Sequence, residues 1–369
     1  MKITFPHMGN TYIAVKAMLE DLGLEVIVPP KCSKRTLELG TKYSPESICL
    51  PLKINIGNYI ESIERGADTI LITGSCGPCR FGFYPVIERE ILKDLGYDVD
   101  IIVFDPPDGN YKELINNITK AVNTKNPIKI LKSFNRGRII LKEVDGLFEF
   151  SNKKRAYAVN SYEVDRIMQK FSEDVLKAKG VMETKKLIKR AFKELEKVEV
   201  DNTKRPLKVG IVGEIYTVIE PYVNLDIERK LGHMGVWVDK FLTTSRWVEH
   251  NLTLGHLGLS EERKAWKAAK PYISTLVGGH GRETVGSAIM YAEKGYDGVI
   301  QLLPFTCMPE IVAETILKTV RKDYDIPILT LIVDELTGET GYVTRLEAFV
   351  DLLERRREEK KFERVLSRS

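Results

Sequence analysis

Cys76 and Cys79 stand two residues apart in the stretch TGSCGPCRFGFY, Thr73 to Tyr84. Before them, Ala67 to Thr73 is a short apolar, β-branched run of strand length. After them, Val86, Ile87, Ile91, Leu92 and Leu95 recur at helical spacing. The pair therefore falls in a strand-to-helix turn, where the first amides of a helix point outward, lower a thiol pKa and stabilise a bound anion such as an anionic cluster. Two more cysteines are braced by proline: Cys49 between Pro45 and Pro51, with Lys53 four residues on, and Cys307 in Pro304-Phe-Thr-Cys-Met-Pro309. Proline fixes the backbone beside each thiol and removes amide donors.

Four thiolates of this kind suit zinc or an iron–sulfur cluster. Structural zinc takes ligands in two local pairs that organise a small fold, whereas these cysteines are spread over most of the chain. The spread favours a cluster placed between two domains for chemistry or electron transfer. Cys-Gly-Pro-Cys alone is also the dithiol–disulfide motif of thioredoxins, which needs only Cys76 and Cys79. A CxxC dithiol oxidoreductase and a zinc-binding scaffold without turnover thus stay open as alternatives. The glycine-rich turn Gly278-Gly-His-Gly281 lacks both the P-loop Lys-Ser/Thr pair and a full GxGxxG, and His280 reads as a turn residue rather than a ligand.

The elements that must position these residues follow an α/β plan. Lys2 to Phe5, Leu24 to Val28, Ala67 to Thr73 and Val99 to Phe104 read as strands, with helices between them and a further helix expected over Lys112 to Val122. This gives an N-terminal domain over 1–125. Residues 126–203 have charged helical texture and read as a mainly helical connector, and the alternation restarts at Lys208 for a C-terminal domain over 204–369. There Lys208 to Val212, Val236 to Leu242, Tyr272 to Val277, Gly298 to Leu303 and Ile326 to Val333 are expected strands. Val343 to about Arg357 is an expected helix, followed by a frayed charged tail. The halves repeat one another: Gly66-Ala-Asp68 opens the strand that ends in CGPC, and Gly295-Tyr-Asp297 opens the strand that ends in PFTCMPE. In parallel sheets such turns lie at the carboxyl ends of the strands, where ligands of doubly wound folds bind. Two such domains facing each other across a cleft would bring Cys49, Cys76, Cys79 and Cys307 together.

The composition is that of an ordinary globular chain of 369 residues, 43% hydrophobic and 29% charged. The 56 basic and 52 acidic residues leave a net charge of +4 and are interspersed, which argues against a nucleic-acid surface. No apolar run is long enough to cross a bilayer and the N-terminus lacks signal-peptide regions, so a cytoplasmic location is expected. Five cysteines in a reducing compartment favour metal or redox chemistry over a disulfide framework.

Together, SPESICLPLK (Ser44 to Lys53), GADTILITGSCGPCRFGFY (Gly66 to Tyr84), VGEIY (Val212 to Tyr216), GGHGRE (Gly278 to Glu283), LPFTCMPEIV (Leu303 to Val312) and TRLEAF (Thr344 to Phe349) resemble the 2-hydroxyacyl-CoA dehydratase D-component family. The nearest branch is the one associated with the acyl-CoA dehydratase activase. The resemblance implies two flavodoxin-like, Rossmann-like halves and a 4Fe-4S cluster held by Cys49, Cys76, Cys79 and Cys307, with Lys53 and Arg80 offsetting its charge. It further implies low-potential electrons from a separate ATP-dependent activase, a homologous subunit as partner, and radical dehydration or reduction of an acyl-CoA or another small molecule. Cys32 stays outside that ligand set, because the branch tolerates Ser or Thr at its position. CGPCRFG departs from the cysteine spacing of the catalytic subunits, so a closed cluster that relays electrons is as compatible as an open catalytic one.

Overall fold

The structure, a computed structural model, describes residues 1–74, 79–104, 122, 126–251 and 260–366. Cys76 and nearly all of the expected helix at Lys112 to Val122 lie outside them.

Two four-stranded parallel sheets carry the fold. The first contains β1 (Lys2–Thr4), β2 (Glu25–Val26), β3 (Thr69–Thr73) and β4 (Asp100–Phe104) in the order β2-β1-β3-β4. The second contains β5 (Leu207–Gly213), β6 (Val236–Lys240), β7 (Gly298–Pro304) and β8 (Ile328–Val333) in the order β6-β5-β7-β8. The order is the same in both, so the repeat read from the cysteine turns is a repeat of topology. Both faces of a parallel sheet are covered, and its strands are accordingly apolar without alternation. In β3, Leu71 faces one core, while Ile70 and Ile72 face another.

The helices divide between those faces. Helix α1 (Thr11–Asp21) packs on the first sheet together with three helices of the middle region, α5 (Pro127–Tyr157), α6 (Ser161–Lys177) and α7 (Gly180–Glu196). The middle region therefore closes the core of the first sheet as well as linking the halves. On the opposite face lie α3 (Leu50–Glu64), with α2 (Lys34–Tyr43) against it, and α4 (Tyr84–Asp94). The seam between the halves is itself apolar: Cys32, Leu50 and Ile54 share one core with Val209, Ile211, Ile300 and Leu302 of the second sheet.

Two expectations are corrected. Tyr272 to Val277 is not a strand: the chain there leaves a helix over Glu261–Ala269 by turns in which the Tyr272 and Ile273 amides donate to the Ala269 carbonyl. Ile273 and Val277 then pack in the helical layer. Their β-branched pattern satisfies a core either way, in a strand or, as here, in turns packed beside helices. At the C-terminus, the helix expected to end near Arg357 runs over Glu339–Leu366.

Candidate functional site

Each described cysteine of the expected ligand set occupies the same structural position, the residue that begins a helix. Cys49 precedes α3 and Cys79 precedes a 3₁₀ turn (Arg80–Phe83); Cys307 precedes α13, over Met308–Asp323, which follows α12 (Gly281–Glu293). Pro51 and Pro309 stand two residues into their helices, the first turn being where proline is tolerated, so Cys-x-Pro is one local device used twice. At such positions serine, threonine or aspartate normally accepts a bond from a first-turn amide. None of these three thiols makes a cap of the usual geometry, although the Phe81 and Glu310 amides still lower the Cys79 and Cys307 thiols. Three helix starts thus present sulfur, with the positive ends of the peptide dipoles behind it.

Arg80 ties the three turns together. Its guanidinium donates to the Ser47 carbonyl at 3.0 Å, the Thr306 carbonyl at 2.6 Å and Thr306 Oγ1 at 3.0 Å, and Thr306 Oγ1 donates to the Ser47 carbonyl at 3.3 Å. Thr306 adopts a left-handed backbone, φ +65°, one residue before Cys307. Cys49 Sγ and Tyr84 Oη are 2.7 Å apart. Gly279 closes another side: a Cβ there would stand 3.8 Å from Cys79 Sγ and 3.0 Å from the Pro309 ring.

Burial pushes all three thiols above their usual pKa. For Cys49 the Tyr84 hydrogen bond and the Arg80 charge oppose that push, and Glu214 adds to it. For Cys79 the Phe81 amide and Arg80 oppose it, again against Glu214. Cys307 is raised furthest, by burial and then by Glu310 and Glu214. Cys79 acts on Cys49, and Cys49 on Cys307, so the three sulfurs share one electrostatic environment. Glu310 is fully enclosed beside Gln301 and Thr284, and burial lifts its pKa to about 8. The donor set is soft sulfur at helix starts, with two backbone carbonyls held by Arg80 rather than by the thiols. That chemistry fits a thiolate-bound metal cluster.

Lys53 does not serve the role expected of it. It is 2% exposed, and its ammonium binds Glu335 of the other half at 2.5 Å and the Glu46 carbonyl at 3.0 Å. Glu214, Glu310 and Tyr84 belong to this environment and had no assigned role. Each lies inside a stretch singled out in the sequence, but spacing gave no sign that Glu214, which starts a short helix by accepting the Tyr216 and Thr217 amides, faces cysteines of both halves. His280 begins α12 without a side-chain cap. A second group able to hold a metal lies deeper in the seam: His7, Cys32 and Glu220, all buried.

Among the described residues, no helix is long and apolar enough to cross a membrane. Compared with known proteins, residues 6–73 match a family model described as a CoA enzyme activase uncharacterised domain (DUF2229). No curated protein matches the chain. The matched stretch contains His7, Cys32 and Cys49 and ends before Cys76 and Cys79, and at that coarse level the N-terminal part of the chain is similar to proteins of the CoA enzyme activase and acyl-CoA dehydratase type.

Proposed function

We propose that Cys49, Cys79 and Cys307, with Cys76, hold a 4Fe-4S cluster between the two halves, and that the protein works with an ATP-dependent activase as a dehydratase-type or reductase component. The observation that carries this reading is the convergence of three helix-initiating cysteines from both halves on turns joined by Arg80. When bound, such a cluster supplies low-potential one-electron chemistry for an acyl-CoA or another reducible small molecule. The chain's own residues do the rest. Arg80 balances negative charge beside Cys49 and Cys79, and Tyr84 donates its hydroxyl proton to the Cys49 sulfur once that sulfur is a thiolate. Pro51 and Pro309 fix the turns. Burial shifts Glu310 toward its neutral form, which limits the negative charge it brings to Cys307.

The mouth of this site also supports a protein partner. Phe83 and Val86 on one side, and Phe305, Met308 and Ile311 on the other, are exposed next to the cysteine turns. Exposed aromatic and aliphatic residues around a charged centre suit the docking of an electron donor or a homologous subunit.

The test is anaerobic purification, with iron, sulfide and zinc analysis and a visible spectrum, of the wild-type chain and of Cys307→Ser. A brown protein with about four irons per chain, most of it lost in the variant while the circular dichroism is kept, is the expected result. Equal iron in both proteins overturns the ligand set. A chain that stays colourless after anaerobic reconstitution returns the choice to the dithiol or zinc readings.

A further inference from the structure

Cys32 is the cysteine that the iron–sulfur reading leaves unused, and it does not stand alone. One ligand-type atom each from His7, Cys32 and Glu220 lie within 4.8 Å of one another. His7 and Cys32 come from the first half and Glu220 from the second. They are 5%, 9% and 2% exposed.

Bonds to residues outside the trio hold the His7 backbone, the chain leading to Cys32 and the Glu220 carboxylate. The His7 amide donates to Asn58 Oδ1 at 3.0 Å, and Asn58 Nδ2 donates to the Pro30 carbonyl, two residues before Cys32, at 2.9 Å. Tyr216 Oη donates to the His7 carbonyl at 2.7 Å, and the His7 ring stacks on Tyr12. The Gly9 and Tyr222 amides donate to the two oxygens of Glu220 at 2.7 and 3.2 Å, and His7 Nδ1 lies 2.8 Å from Glu220 Oε2. Outer partners of this kind hold ligating side chains in place in metal sites. A fold that needed only to join two halves here would do so with apolar side chains of the same volume at lower cost.

We propose that His7, Cys32 and Glu220 form a metal site of their own, for a single zinc-type divalent ion that links the two halves. Imidazole nitrogen, thiolate sulfur and carboxylate oxygen are the three donor types that zinc takes. Ligand bonds of about 2.0–2.3 Å require the three atoms only to close on a common centre. The ion replaces the Cys32 thiol proton, which leaves to solvent, and takes up the His7 nitrogen and the Glu220 oxygen that otherwise face each other. Three protein ligands leave a fourth position, with the Tyr216 hydroxyl beside Cys32 as its polar neighbour. The site is separate from the cysteine mouth: the groups that act on Cys32 are Glu220, Tyr216 and Glu61, whereas Glu214, Glu310 and Arg80 act at the mouth. Because its ligands come from both halves, the ion resists their separation, and loading it raises the thermal midpoint.

The experiment uses the full chain with Cys49, Cys76, Cys79 and Cys307 all changed to serine, a residue favoured at helix starts, treated with chelator and titrated anaerobically with cobalt(II). The expected result is one equivalent bound with a sulfur-to-cobalt charge-transfer band, lost when Cys32→Ala is added. A quadruple variant without that band, or one whose band and cobalt affinity are unchanged when His7→Ala is added, overturns the proposal. If the quadruple variant does not fold, zinc is measured in the wild-type chain and in Cys32→Ala alone: one zinc fewer per chain is expected, and equal zinc overturns the site. Iron content separates this site from the mouth. Cys32→Ala keeps wild-type iron, and a chain that never takes up iron yet binds cobalt through Cys32 fails the cluster reading while leaving this site intact.

Discussion

Two of the polar places where the halves meet are built in opposite ways. At the His7–Glu220 seam the charged and polar groups are enclosed, and each is bonded across the joint. At the cysteine mouth the backbone is tied by Arg80, but the sulfurs begin helices without capping them, and apolar side chains around them face outward. The first arrangement joins the halves by its own bonds whether or not an ion is loaded. The second, on the proposed function, holds its sulfurs for a cluster. Damage at the seam should therefore appear as lost stability, and damage at the mouth as lost binding.

The largest stability effect is expected from Glu220→Ala. It leaves the Gly9 amide and the His7 ring buried without their acceptor, and breaking such a buried pair costs roughly 3–5 kcal/mol. Urea unfolding checks it; a loss below about 1 kcal/mol would reduce the seam to an ordinary surface ion pair. Glu220→Gln, which keeps one acceptor oxygen, should lose less. Next comes Gly9→Ala. Gly9 has φ +52°, and a Cβ there would stand 2.4 Å from the Ile219 carbonyl oxygen of the opposite half, so backbone must part. A cost of about 1–3 kcal/mol is expected, again read by urea unfolding.

The contrast also marks what the sequence could reveal. Strands covered on both faces leave continuous apolar runs, so β3 and β7, and the repeat built on them, were legible, as was the Cys307 turn at the end of β7. The seam was not. His7 and Glu220 are 213 residues apart, and no spacing rule joins them. Lys53 read as a free cation because its partner, Glu335, lies 282 positions on. Tyr272 to Val277 carries a strand's residue pattern, and only its turns after Ala269 and its packing against neighbouring helices show that it joins no sheet.

At the mouth, Arg80→Ala removes the links to Ser47 and Thr306 while leaving every sulfur in place. The expected stability loss is about 1–2 kcal/mol, since the residue is partly solvated. The cluster should reconstitute more slowly and to lower occupancy than in wild type, measured as iron bound against time. Full uptake at the wild-type rate would show that the three turns hold their places without Arg80.

The smallest effect is expected behind the mouth, at Glu88. This carboxyl sits in the wall that carries Tyr84 and Cys49, accepts a bond from Asn55 at 3.1 Å, and is raised by burial to about 8. A folded-state value above the unfolded one, 4.5, means that the native chain binds an extra proton between those limits. Stability from this group is whole below about pH 4.5 and falls as pH rises toward 8, by up to about 1.4 kcal/mol per unit. Glu88→Gln cannot ionise and its amide oxygen can still accept from Asn55, so it should match the wild type near pH 5 and exceed it by roughly 1 kcal/mol or more near pH 8, as read by urea unfolding at both values. Parallel pH dependence in the two proteins would mean that Glu88 is ionised in the fold. The wall behind Cys49 would then carry a negative charge, and the mouth would be less suited to an anionic cluster than its helix starts suggest.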